Sequence, residues 1–125
     1  VPLTAGQKAS VELTVAHADT AIALQSGSLP VLATPRVVAL VEQVSVLAVG
    51  DALADGQTTV GMKVQLDHLA PTAVGRTVVA ESTIEAVQGR RIMFQVQVSD
   101  DRGLVAVGRV TRVVVDVDRF MTKAR

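Results

Sequence analysis

Glu42 stands in a stretch of chain that otherwise carries almost no charge. From Thr34 to Gly50 the chain reads Thr-Pro-Arg-Val-Val-Ala-Leu-Val-Glu-Gln-Val-Ser-Val-Leu-Ala-Val-Gly, a helix that is apolar nearly all round and that a domain would wrap rather than lay on its surface. A carboxylate in such a helix is expensive unless it is paired or hydrogen-bonded. Downstream, Val60, Met62, Val64, Leu66 and His68 alternate, which predicts one strand face carrying the imidazole toward that helix. A carboxylate and an imidazole sharing an apolar groove are the parts of an acid–base site, with Glu42 as base or nucleophile.

Each of these residues also has a plainer role open to it. Thr34, just before Pro35, suits a helix N-cap, although a hydroxyl at a helix N-terminus can also face a bound ligand. Glu42 could sit on an imperfectly buried side of the helix beside Gln43. His68 could be structural, as His17 is taken to be. Gly61 interrupts its strand, a frequent sign of close approach by a ligand or backbone. Arg112 falls within the apolar run Val110–Val115, where a guanidinium must find a partner or reach solvent. The Gly89-Arg90-Arg91 turn reads as a solvated hairpin tip that could also meet phosphates.

The elements that must position these residues follow from periodicity. Val11, Leu13 and Val15 alternate with polar neighbours, marking a first strand. An irregular stretch from His17 to Ala33 follows, long enough to be a binding loop, with one helical turn expected at Ala21–Leu24. The helix from Thr34 ends at Gly50. Period-two segments then predict strands near Thr58–Leu69, Thr77–Val87, Arg91–Ser99 and Leu104–Asp116, with hairpin-like spacing that suggests a meander. One strand, one helix and four strands make an α+β order. A curled antiparallel sheet around the helix buries both.

Composition narrows the function. At 125 residues the chain fits one domain, residues 1–125, with a sizeable core. Twelve basic and twelve acidic residues cancel, and no basic stripe with aromatic platforms favours nucleic acid. Although 49% of residues are hydrophobic, no apolar run reaches the roughly 18 residues of a membrane span, and no secretory leader is visible. Without cysteine, and with only His17 and His68, no metal-site pattern arises. The expected compartment is the cytoplasm.

The order Ala33-Thr34-Pro35, then Glu42, then Gly61 and His68, continuing through Pro71, Gly75, Gly89-Arg90-Arg91, Phe94, Gly108, Arg112-Val113-Val114 and Phe120, resembles the fluoroacetyl-CoA thioesterase family. The similarity runs from about Val31 to Lys123. It implies a hot-dog fold, an acyl-CoA substrate with no separate cofactor, and Thr34, Glu42 and His68 as the catalytic set. It also implies Gly61, through its backbone amide, and Arg112 at substrate-binding positions. A homodimer with active sites at the subunit interface is expected. One departure stands out: that family's phenylalanine-bearing lid matches Gln25–Leu32 here, which holds no phenylalanine. A thioesterase for another acyl group is therefore expected. The alternatives are a non-catalytic acyl-CoA-binding module and, third, a hydratase, whose close Asp/His cluster is missing.

Overall fold

A computed structural model describes residues 2–125. Its elements in chain order are β1 (Lys8–Thr14), a 3-10 turn (His17–Asp19), α1 (Thr34–Val49), β2 (Gln57–His68), β3 (Thr77–Gln88), β4 (Arg91–Asp100), β5 (Gly103–Asp116) and α2 (Val117–Ala124). The predicted strands are all present within a residue or two. The expected helical turn at Ala21–Leu24 is present as a single α-type turn, the Leu24 amide donating to the Thr20 carbonyl at 3.0 Å, and a 3-10 turn at His17–Asp19 precedes it. The C-terminal helix α2 was not foreseen.

The strands form one antiparallel sheet in the order β1-β3-β4-β5-β2. Only β3, β4 and β5 make the expected meander. β2 pairs with β5 rather than with its sequence neighbour β3, so Leu69–Arg76 must cross the end of the sheet. Three strand spacings, about 14 Å, are within easy reach of that segment. The crossing leaves β2 as an edge strand, directly after the helix in sequence and far from β1.

α1 packs chiefly across β1 and β3. Its buried residues Val37, Leu40, Val41, Val44, Ala48 and Val49 recur at helical spacing, facing sheet residues such as Val78, Ile84, Ile92, Phe94 and Val110. Full burial of each larger aliphatic side chain favours folding by about 1.5–3 kcal/mol. Ser45 is buried in the same stripe, its hydroxyl donating to the Val41 carbonyl at 2.7 Å and meeting Ser82 Oγ at 2.9 Å. The helix is not wrapped on every side, however. Ala39 and Gln43 are exposed, as are Val46 (47%) and Leu47 (52%), so one apolar flank faces outward.

β2 contains the irregularity that matters most. Gly61 pairs with Arg112 and Lys63 with Thr111, leaving Met62 as an extra, unpaired residue. Such a bulge reverses the side-chain alternation. Before it, Thr59 is buried and Gly61 lies under the helix; after it, Val64 and Leu66 pack against the core. The uninterrupted face predicted for Val60 through His68 is thus broken at Met62, which is half exposed. Gly61 and His68, seven residues apart, could not share a face of a regular strand. The bulge turns both toward α1.

Candidate active site

The start of α1 sets the first half of the site. Ala33, not Thr34, is the N-cap: its backbone is extended (φ −75°, ψ 141°) and its carbonyl accepts from the Arg36 and Val37 amides. Thr34 is the first helical residue, with Pro35 after it, and its hydroxyl makes no capping bond. Instead Thr34 Oγ1 lies 2.8 Å from His68 Nδ1. The expected cap is therefore replaced by a hydroxyl–imidazole pair joining the helix to the end of β2. Burial lowers the His68 pKa below its usual 6.5, with a smaller opposing pull from the Ala70 backbone. A neutral imidazole can accept the Thr34 proton at Nδ1. Its Nε2 is buried without a hydrogen bond among the described residues.

This pair opens on a cavity of about 290 Å³ lined by Ala21, Ser26, Val31, Leu32, Ala33, Leu69, Ala70 and Pro71 as well as Thr34 and His68. It is a shallow, open depression whose lining, apart from Ser26, Thr34 and His68, is aliphatic. A larger open trough of about 760 Å³ lies on the other face of the sheet, among residues such as Gln65, Glu81, Gln95 and Arg109. It touches none of the candidate residues.

Glu42 belongs to a second cluster. Arg112, only 7% exposed, donates from Nη1 to Glu42 Oε2 at 2.9 Å, from Nε to Thr59 Oγ1 at 2.9 Å and from Nη2 to the Thr59 carbonyl at 2.9 Å. These bonds offset the desolvation of the guanidinium. The Glu42 side chain remains about a third exposed. Gly61 lies beneath it: a Cβ there would collide with Glu42 Oε2, and would stand 3.5 Å from Arg112 Nη1. The close approach expected at Gly61 is thus that of a carboxylate.

Within one chain, then, Thr34 joins His68, and Glu42 joins Gly61 and Arg112. The expected Glu42–imidazole pair does not form, and no hydrogen bond links Thr34 to Glu42. Thr34 and Glu42 are eight positions apart on the helix, a rise of about 12 Å, too far for direct contact. Thr59 escaped sequence reasoning: the one hint was that Arg112 needed partners, and nothing in the sequence said which strand would supply them. Arg90 is half exposed at its hairpin, reaching the Val114 carbonyl at 3.3 Å and Asp116 at 3.6 Å. His17 is exposed and makes no side-chain bond among the described residues.

The His68 shift carries a pH consequence. A histidine whose folded pKa lies below its unfolded value adds stability that is full above the unfolded value and lost as pH falls through the folded one. An NMR titration of the His68 ring is expected to show a midpoint below 6.5, and a midpoint at or above it would refute the assignment.

A curled antiparallel sheet against one long helix, with two polar clusters between that helix and the edge strand β2, defines a hot-dog protein. Solved structures agree. A phenylalanine-to-alanine mutant of the fluoroacetyl-CoA-specific thioesterase FlK superposes with a TM-score of 0.93 at 25% identity, covering 100% of this chain and 97% of that one. A hot-dog-like protein from Thermanaerovibrio acidaminovorans gives 0.89 at 26% identity, covering 96% and 89%. The fluoroacetyl-CoA thioesterase of Streptantibioticus cattleyicolor is 30% identical over 95 residues, spanning 76% of this chain and 68% of that protein. The family model described as fluoroacetyl-CoA-specific thioesterase matches residues 15–118. The chain belongs to that family, and it is a thioester hydrolase of the hot-dog class.

Proposed function

We propose that the chain hydrolyses short aliphatic acyl-CoA thioesters, giving a carboxylic acid and free CoA. The observation that carries this is the Thr34–His68 pair beside a small, open, mostly aliphatic depression. The Glu42–Arg112 pair over Gly61 supplies the carboxylate. Related enzymes have been crystallised with acetyl-CoA and with fluoroacetate and CoA, in keeping with this substrate class. Glu42 acts as base for water or attacks the carbonyl itself. The Gly61 amide, with Arg112 beside it, receives the substrate carbonyl, and its donor stabilises the negative charge that develops on the carbonyl oxygen. As the C–S bond breaks, His68 takes up the proton released from the attacking water and passes it to the departing thiolate, returning to the neutral form, and Thr34 holds the imidazole in place.

Two half-sites about 12 Å apart along one helix favour completion by a second copy. β2 is a sheet edge, and Met62, Val46 and Leu47 beside it are exposed apolar residues. Antiparallel pairing of two β2 strands, centred between Gly61 and His68, would set Gly61 and Glu42 of one copy against Thr34 and His68 of the other. We therefore read the active form as a homodimer with two interface sites, built from one hot-dog domain per chain and acting in the cytoplasm. No helix among the described residues is long and apolar enough to cross a membrane.

The cavity argues against selectivity for fluoroacetyl groups. Phe94 is in the core and Phe120 on α2, so no phenylalanine lines the acyl site. Thiol release should be followed across fluoroacetyl-, acetyl-, short straight-chain, branched and aryl-CoA. Turnover of short aliphatic substrates is expected, with fluoroacetyl-CoA preferred over acetyl-CoA by no more than a few-fold. Binding without turnover across the panel would convert the reading to a non-catalytic acyl-CoA module.

A further inference from the structure

We propose that Thr59 is a positioning residue for Glu42, acting through Arg112; this rests on the reading of the site as a thioesterase. Thr59 lies on β2 two residues before Gly61, on the same face of the strand, and is 8% exposed. It takes two of the bonds that Arg112 makes: Nε to its hydroxyl and Nη2 to its backbone carbonyl, both at 2.9 Å. An arginine side chain otherwise has many rotamers, and its guanidinium is planar. Gripping one edge of that plane at two points with one residue leaves Nη1 a single direction. That direction ends on Glu42 Oε2.

The result is an asymmetric carboxylate. Oε2 is fixed between Arg112 and the bare backbone of Gly61, whereas Oε1 has no hydrogen-bond partner among the described residues and is free for water or substrate. Thr59 touches neither. Its hydroxyl sets the lean of the guanidinium and hence where the reactive oxygen points. Removing the hydroxyl should let Arg112 rotate about its remaining bonds and blur that position, without removing any group that meets substrate.

Thr59→Val keeps the branched shape and the carbonyl but deletes the hydroxyl, and Thr59→Ser restores it. On the best acyl-CoA, Thr59→Val should lower kcat by about tenfold or more, the loss typical of one hydrogen bond to a charged group, with KM within about twofold and rescue in Thr59→Ser. In a Glu42→Gln background the valine should cost almost nothing more, because its effect passes through that carboxylate. Wild-type kcat in Thr59→Val, or an equal loss in both backgrounds, would overturn the proposal while leaving the thioesterase reading intact. No turnover by the wild type on any acyl-CoA would overturn both. Should the valine variant not fold, hydrogen exchange at Arg112 Nε–H in the wild type decides: protection is expected, and exchange at the rate of free arginine would overturn the proposal.

Discussion

Glu42→Gln is expected to cut thiol release by about a hundredfold or more, the usual scale for a lost general base. Glutamine has the same length and can still accept from Arg112 Nη1 through its amide oxygen, so the guanidinium keeps its three acceptors. What disappears is the negative charge and the basic Oε1. Circular dichroism and thermal melting should therefore stay close to wild type while kcat collapses. Full activity in this variant would mean that Glu42 is only the counter-ion of Arg112. Single-turnover hydrolysis in labelled water would then separate the two roles left open: isotope incorporated into Glu42 marks direct attack, and its absence marks activation of water.

Gly61→Ala should be almost as damaging, for a geometric reason. The added methyl falls on Glu42 Oε2, the far end of a flexible side chain, so the backbone need not move and the melting temperature should fall by no more than a few degrees. The carboxylate must leave its place, and a displacement near 1 Å in a catalytic group can cost about a hundredfold. A melting temperature near wild type together with a large fall in kcat is the expected pair of results. Unchanged kcat would show that the position of Oε2 against the strand is irrelevant to the reaction.

Strand positions were legible because period-two alternation and the turns at Gly89 and Gly103 are local signals. Sheet order was not: hairpin-like spacing favoured β2 beside β3, whereas pairing with β5 is settled only when the whole sheet closes over the helix. The bulge was hidden for the same reason, since Met62 is as apolar as its neighbours and nothing local marks it as extra. Thr34, Glu42, Gly61, His68 and Arg112 could be picked out by residue type and resemblance. Their grouping could not, because it depends on the helical rise between Thr34 and Glu42 and on which strand faces Arg112. The sequence of α2 does carry a helical signal: Val117, Phe120 and Met121 at helical spacing, with Asp118 early and Lys123 late, as a helix dipole favours. Those three apolar residues stay partly exposed, so the helix adds little to the core whose pattern dominated the reading.

The bulge at Met62 also limits how this strand can change in length. Side-chain direction in a strand is a matter of odd and even, and the extra residue supplies the one step that lets an odd interval serve a single face. Loss of Met62 itself would erase the bulge and leave six regular steps that keep both residues on one face, but loss of any other residue in the interval, with the bulge kept, would turn either the glycine beneath Glu42 or the imidazole beside Thr34 to the wrong side of the sheet. Gain of one residue between Gly61 and His68 would do the same. Insertions and deletions in that interval are thus tolerated only in pairs, or singly when the bulge is created or erased with them, and the interval of seven is inherited together with its irregularity.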